Sequence, residues 1–164
     1  LFMIIIVFGL AGAGKTYVGK LINKHFDFHH EDADDWLSYE MIEFIDGKKS
    51  FTIEMLDEFM DIIIDKINIL KIKHENIVIS QALYRNSNRE RLAKQFAQDE
   101  LLFLQVETND SIITNRLKDR SDGIDLEYAA SIRKYFEPMN KMKIIYNDVP
   151  GEDKIISQLK EILQ

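Results

Sequence analysis

Apolar residues fall along the chain in two rhythms. Short unbroken runs rich in β-branched residues occur at Met3 to Phe8, Asn76 to Ser80, Leu101 to Val106 and Lys143 to Tyr146, with a weaker one at Phe26 to His30. Runs of this length and composition predict strands. Between them, apolar positions recur at helical spacing over Lys15 to Lys24, Thr52 to Ile72, Arg89 to Asp99, Asp110 to Lys118, Leu126 to Glu137 and Glu152 to Leu163, which predicts helices. The longest of these carries Ile53, Leu56, Met60, Ile63, Ile67 and Leu70 as one stripe, read as a core face. Strands that alternate with helices predict an α/β fold, a parallel sheet covered on both faces and joined by right-handed crossovers. Ligands of such sheets bind beyond the carboxyl ends of the strands.

Composition narrows the partners. With 164 residues, 46% of them hydrophobic, and no repeat, low-complexity tract or flexible linker, the chain is expected to form one domain, 1–164. Its formal net charge of −7 opposes attraction to nucleic acid or to an anionic membrane, so neither is an expected partner. The absence of cysteine excludes a disulfide framework and a thiolate zinc site, and the cytoplasm is the expected compartment. The opening apolar run is too short to span a bilayer and leads straight into glycines, and Met3 is read as the natural start. One chain displays no symmetric interface, so monomer and homodimer both stay open.

The first predicted strand ends in "GLAGAGKT", Gly9 to Thr16, which satisfies the P-loop pattern GxxxxGK[ST]. Glycines let the backbone turn tightly and bring successive N–H groups to phosphate oxygens at the positive end of the next helix. Gly9, Ala11, Gly12, Ala13, Gly14, Lys15, Thr16 and Tyr17 are therefore the expected nucleotide contacts, with Lys15 at the β and γ phosphates and Thr16 on a magnesium ion. An ordinary glycine-rich turn is the alternative. The strand before and the helix after favour the nucleotide.

Two further clusters belong near that loop. "HHEDADDW", His29 to Trp36, follows the weak second strand, and in an extended segment Asp32 and Asp34 point the same way while Ala33 points the other. Asp32 is the candidate for the water shell of magnesium, and Asp34 for orienting and deprotonating an acceptor hydroxyl. The competing reading is an acidic turn in which Asp34 or Asp35 caps a helix starting near Trp36. In "NRLKDR", Arg116 and Arg120 stand four apart and face one way. A short lid over about residues 116–126 would bring Arg120 to the phosphates and Arg116 near the base, where a flat guanidinium stacks. Ordinary surface arginines are the alternative there. His29 and His30 are adjacent on an expected strand and point to opposite faces, so the four histidines form no metal-binding spacing.

In order, "GLAGAGKT", "DADD", "IVISQAL", "NRLKDR" and "SIRKYFEP" resemble the gluconokinases, grouped with shikimate kinases among small P-loop kinases shaped like nucleoside monophosphate kinases. The resemblance covers almost the whole chain. It implies a three-layer fold with a five-stranded parallel sheet in the order 2-3-1-4-5, Mg-ATP as donor, and a sugar-acid hydroxyl as acceptor. It further implies Lys15, Asp34 and Arg120 as catalytic residues, and Asp34 and Gln81 as contacts for the acceptor. The departures fall on the acceptor side: the arginine expected after "TxxD" is Met55 or Leu56, the expected lysine is Tyr84, and Arg85 or Arg89 replaces it only after a shift. A shikimate-like acceptor, a nucleoside and an RNA end remain alternatives, as does a nucleotide switch with no acceptor. No N-K-x-D stretch supports the switch.

Overall fold

The computed structural model describes residues 2–98, 100–139 and 142–164. Its strands are β1 (Met3–Phe8), β2 (His29–Asp32), β3 (Asn76–Ser80), β4 (Leu101–Glu107) and β5 (Lys143–Tyr146). They form one parallel sheet in the order β2-β3-β1-β4-β5, as the resemblance implies. The helices are α1 (Lys15–Phe26), α2 (Tyr39–Asp46), α3 (Ile53–Lys73), α4 (Asn86–Gln95), α5 (Asp110–Lys118), α6 (Leu126–Arg133) and α7 (Asp153–Leu163).

Successive residues of β1 face opposite sides of the sheet, and both sides are dry. Ile4, Ile6 and Phe8 pack with Ile77 and Ile79 beneath α3, whereas Ile5 and Val7 pack with Val78, Leu104 and Ile145 beneath α1 and α7. This explains why β1 is apolar throughout. Its carboxyl end sits at the centre of the sheet edge, so whatever follows β1 is held at the switch point where ligands bind.

Several expectations are corrected by the coordinates. The second strand is His29–Asp32 and not Phe26–His30, because α1 continues through Phe26 and stops only where Asp27 adopts φ 58°. Polar residues are tolerated there because β2 is an edge strand, paired only with β3. The segment after it is not extended: Ala33–Trp36 forms a short 3-10 turn with Asp32, not Asp34 or Asp35, as its cap. Helix α2 was not expected. It starts where Ser38 Oγ accepts the Met41 N–H at 3.2 Å, and it buries Met41 and Ile45, four residues apart. Met60, Ile63 and Ile67 of the predicted α3 stripe are buried and Leu70 packs against the core, but Met55 and Phe59 join that face and Ile53 is exposed. Predicted helix ends shift as well, from Arg89 to Asn86 at the start of α4 and from Glu137 to Arg133 at the end of α6. Asp99, the other predicted end of α4, lies outside the described residues. Among the described residues no helix is long and apolar enough to cross a membrane.

Candidate active site

The loop between β1 and α1 is shaped by residues far from it in sequence. Gly14 has φ 98°, and a side chain there would begin 2.3 Å from Asn147 Nδ2. Gly9 has φ 148°, with a Cβ position 2.6 Å from the Val106 carbonyl oxygen. Both positions therefore exclude any side chain, by conformation and by space. Asn147 Nδ2 donates to the Ala13 carbonyl at 2.8 Å, and Arg116 Nη1 donates to the Gly12 and Ala13 carbonyls at 3.0 and 3.1 Å. The loop's carbonyls are thus drawn toward β5 and α5. The first-turn N–H groups of α1 have no intrahelical acceptor, and no side chain caps them. Together they make an anion cradle at a helix N-terminus.

Lys15 leads α1 and its Nζ donates to the Leu10 carbonyl at 3.0 Å. Burial lowers its pKa, helped by Arg120 and opposed by Asp34 and Asp32. Thr16 Oγ1 donates to Asp32 Oδ2 at 2.5 Å, and Asp32 Oδ1 accepts the Asp34 N–H at 3.1 Å. The expected pair of parallel carboxylates is therefore replaced by a turn in which Asp32 faces Thr16 and Asp34 faces the cavity. Asp34 is exposed by area, because the cavity is open, yet protein crowds it on the other sides. That crowding raises its pKa; Lys15, Gln81 and Arg120 oppose the rise, and Asp32 adds to it. Gln81 Nε2 donates to Asp34 Oδ1 at 3.3 Å.

Arg120 and Arg85 line the same cavity as Lys15 and Asp34. Arg120 Nε donates to Asp122 Oδ1 at 3.0 Å, an exposed pair that raises the Arg120 pKa and lowers that of Asp122. The Arg116 guanidinium donates in its plane to the loop carbonyls, and the residue is exposed beside the loop. Tyr17 is 42% exposed beside the loop. Arg89, the alternative to Arg85, is buried, and it donates to the Leu83 and Glu137 carbonyls at 2.6 and 2.5 Å and to Asn86. It braces the framework.

Two contributors escaped the sequence reading. Asn147 follows β5 and carries no motif. Ser80 Oγ donates to the Lys15 carbonyl at 3.3 Å and pairs with His30 Nε2 at 2.9 Å, fastening α1 to the ends of β2 and β3. The signal for Ser80 was its place at the carboxyl end of a strand. His29, on the other face, stacks on His74 with ring centroids 3.8 Å apart.

A profile of the family described as AAA domain matches residues 5–141. The chain belongs to the AAA domain family. No curated protein sequence matches this AAA domain chain. Its fold is that of a sugar kinase from Janibacter sp. HTCC2649, solved unliganded, with a TM-score of 0.84 and 17% identity over 99% of this chain and 95% of that one. A gluconokinase from Sinorhizobium meliloti 1021 gives a TM-score of 0.78 and 18% identity over 98% and 93% of the two chains. A shikimate kinase from Acinetobacter baumannii, in complex with shikimate, gives 0.62 and 16% over 99% and 93%. This AAA domain therefore has the small P-loop kinase fold.

Proposed function

We propose that the protein is an ATP-dependent phosphotransferase that moves the γ-phosphate of Mg-ATP to a hydroxyl group of a small molecule. The observation that carries this reading is Asp34, a carboxylate with a raised pKa that faces a cavity shared with Lys15 and Arg120. A nucleotide-holding module without an acceptor gives such a base no proton to take, whereas transfer to an alcohol does.

The residues present fit the donor. The glycine loop that Asn147 packs against at Gly14, the helix N-terminus and Lys15 suit a triphosphate, and the Thr16–Asp32 pair offers oxygen donors suited to magnesium. Magnesium, when bound, supplies neutralisation of phosphate charge. Thr16 would hold it directly and Asp32 through water. Lys15 binds and orients the phosphates. Asp34 accepts the acceptor's hydroxyl proton; that oxygen bonds to the γ-phosphorus as the bond to the bridging oxygen of ADP breaks, and ADP leaves. Arg120, on the proposed lid over about 116–126, stabilises the charge that develops. One domain, 1–164, carries all of this, with the cytoplasm as its proposed compartment.

Likeness to the gluconokinase supports a sugar-acid acceptor. The cavity wall supports it less: Leu56 and Tyr84 stand where that resemblance implies cations, and Arg85 is the cation left on that wall. The test is ADP release from Mg-ATP with a panel of sugar acids, polyols, shikimate, nucleosides and RNA, with phosphorylated product identified by mass spectrometry. Acceptor-dependent release that Asp34→Asn abolishes supports the proposal. Tight ATP binding with no acceptor-dependent release would favour the switch, and phosphorylation confined to RNA ends would favour a polymer kinase.

A further inference from the structure

The cavity beside Asp34 has two unlike ends. Lys15, Asp34, Gln81 and Arg120 meet at the P-loop end, while Ile45, Phe51, Leu56, Phe59, Met60 and Leu83 build much of the remaining wall. Its volume is about 190 Å³. An apolar cavity of about 150 Å³ holds a benzene ring, so there is room for one ring with a short substituent. A polyhydroxylated chain fits this wall poorly, because every hydroxyl it buries needs a hydrogen-bond partner and most wall atoms offer none.

Arg85 and several neutral polar groups interrupt the apolar wall. Asn88 in α4 is 7% exposed and Tyr128 in α6 is 3% exposed, and both line the cavity. Among the described residues, the Asn88 amide and the Tyr128 hydroxyl make no protein hydrogen bond, and neither is a closed-off buried atom, so both polar ends open onto the cavity. Burial keeps the Tyr128 phenol protonated, with its pKa raised further by Asp34. The nearby Tyr84 phenol is pushed up as well, by burial first and then by Tyr128 and Asp34. An amide offers both a donor and an acceptor, and a neutral phenol does the same. Such a pair reads the edge of a ring bearing nitrogen or oxygen, while phenylalanine and leucine side chains cover its faces.

We propose that the acceptor is a monocyclic, planar alcohol, a single heteroaromatic ring carrying a hydroxymethyl group, held at its polar edge by Asn88 and Tyr128 with its hydroxyl toward Asp34. This rests on the phosphotransferase reading for the reaction and on the cavity alone for the ligand. Asn88 lies in α4 and Tyr128 in α6, which is why no contiguous motif contains both.

Calorimetric titration of the full chain, saturated with a non-hydrolysable ATP analogue, separates the two readings because it needs no turnover. The probes are hydroxymethylpyridines, hydroxymethylpyrimidines, benzyl alcohol, gluconate, shikimate and thymidine. At least one heteroaromatic alcohol is expected to bind tenfold or more tightly than gluconate, shikimate, thymidine and benzyl alcohol. Asn88→Leu removes an unpaired amide at similar volume, so its melting temperature should hold or rise while affinity for that alcohol falls tenfold or more and ATP affinity is unchanged. A purely structural Asn88 would instead lower the melting temperature. Tyr128→Phe provides an independent reading, with an expected loss of fivefold or more. Tighter binding of gluconate, shikimate or thymidine overturns the proposal, as does failure of every heteroaromatic alcohol to bind. Normal ring-alcohol affinity in both variants overturns the roles of Asn88 and Tyr128. Ring-alcohol binding without ADP release would leave this inference standing and remove the phosphotransferase reading.

Discussion

Replacing Asp34 by Asn changes one charge in a place where three effects can be worked out separately. The amide keeps the size and an acceptor oxygen for Gln81 Nε2, now 3.3 Å away, so the turn capped by Asp32 should persist. Loss of the base should lower acceptor phosphorylation by roughly 10²-fold or more, since positioned general bases contribute about 10²–10⁴-fold. A 10²-fold loss corresponds to about 2.7 kcal/mol of barrier. ATP binding should tighten: a water-screened pair of unit charges about 4 Å apart interacts by about 1 kcal/mol, so removing this anion raises ATP affinity by about fivefold or more. Stability should move the other way from activity. The folded pKa of Asp34 lies above its ordinary value of 3.8, so its ionised form opposes folding once pH exceeds that value. The variant should therefore melt higher than wild type at neutral pH, and the gap should close as pH falls toward 3.8. For the same reason, the acid limb of wild-type kcat/KM should lie above the usual carboxylate range. Single-turnover phosphorylation, ATP titration and melting curves at several pH values check these points. Normal phosphate transfer by a folded Asp34→Asn protein would refute the base, and a lower melting temperature at pH 7 would refute the electrostatics.

Lys15→Ala should lower turnover by about 10²-fold or more with an unchanged circular dichroism spectrum, because Lys15 Nζ donates to the Leu10 carbonyl and takes no part in the core. Near wild-type turnover would end the P-loop reading. Arg120→Ala should reduce kcat more than ATP affinity, and should shift stability by less than about 1 kcal/mol because its partner Asp122 is a surface group. Asp32→Asn should show a defect partly relieved by raising magnesium, which the Asp34 defect is not; equal rescue of both would erase the division of roles. Arg89→Met should cost about 3 kcal/mol by stranding the Leu83 and Glu137 carbonyls, read as a melting temperature lower by roughly 6–12 °C.

The nucleotide half of the site was legible because its requirements are local. A tight loop, two positions with no room for a side chain, a lysine and a hydroxyl all fall within Gly9 to Thr16, and their spacing is fixed by backbone geometry. The order of the sheet came from the resemblance, since periodicity alone identifies strands without saying which are neighbours. Misreadings cluster on the β2 side. Phe26 and Phe28 mimic a strand, but α1 holds Phe26, and the edge strand is built from His29, His30, Glu31 and Asp32, whose polarity hides it. Only eight residues long, α2 was lost between an acidic turn and the much stronger pattern of α3.

The acceptor half was not legible, and Arg85 and Arg89 show why. In the sequence they are equivalent cations four residues apart. In the fold Arg85 borders the cavity, whereas Arg89 points into the framework, where its guanidinium lies 5.0 Å from the Phe8 ring centroid and 5.8 Å from that of Phe136. That placement depends on strand β1, on α4 and on the segment after α6, three parts of the chain that no short window contains. A wall assembled from so many elements can exchange one side chain at a time without disturbing the loop that holds the phosphates, because the loop is braced from the opposite side by Arg116 and Asn147. In the proposed reaction, the phosphate loop and much of the acceptor wall would thus be braced by different residues. A change from a cationic to an aromatic wall, as at Tyr84, can then redirect the acceptor while Lys15, Thr16 and Asp32 stay in place.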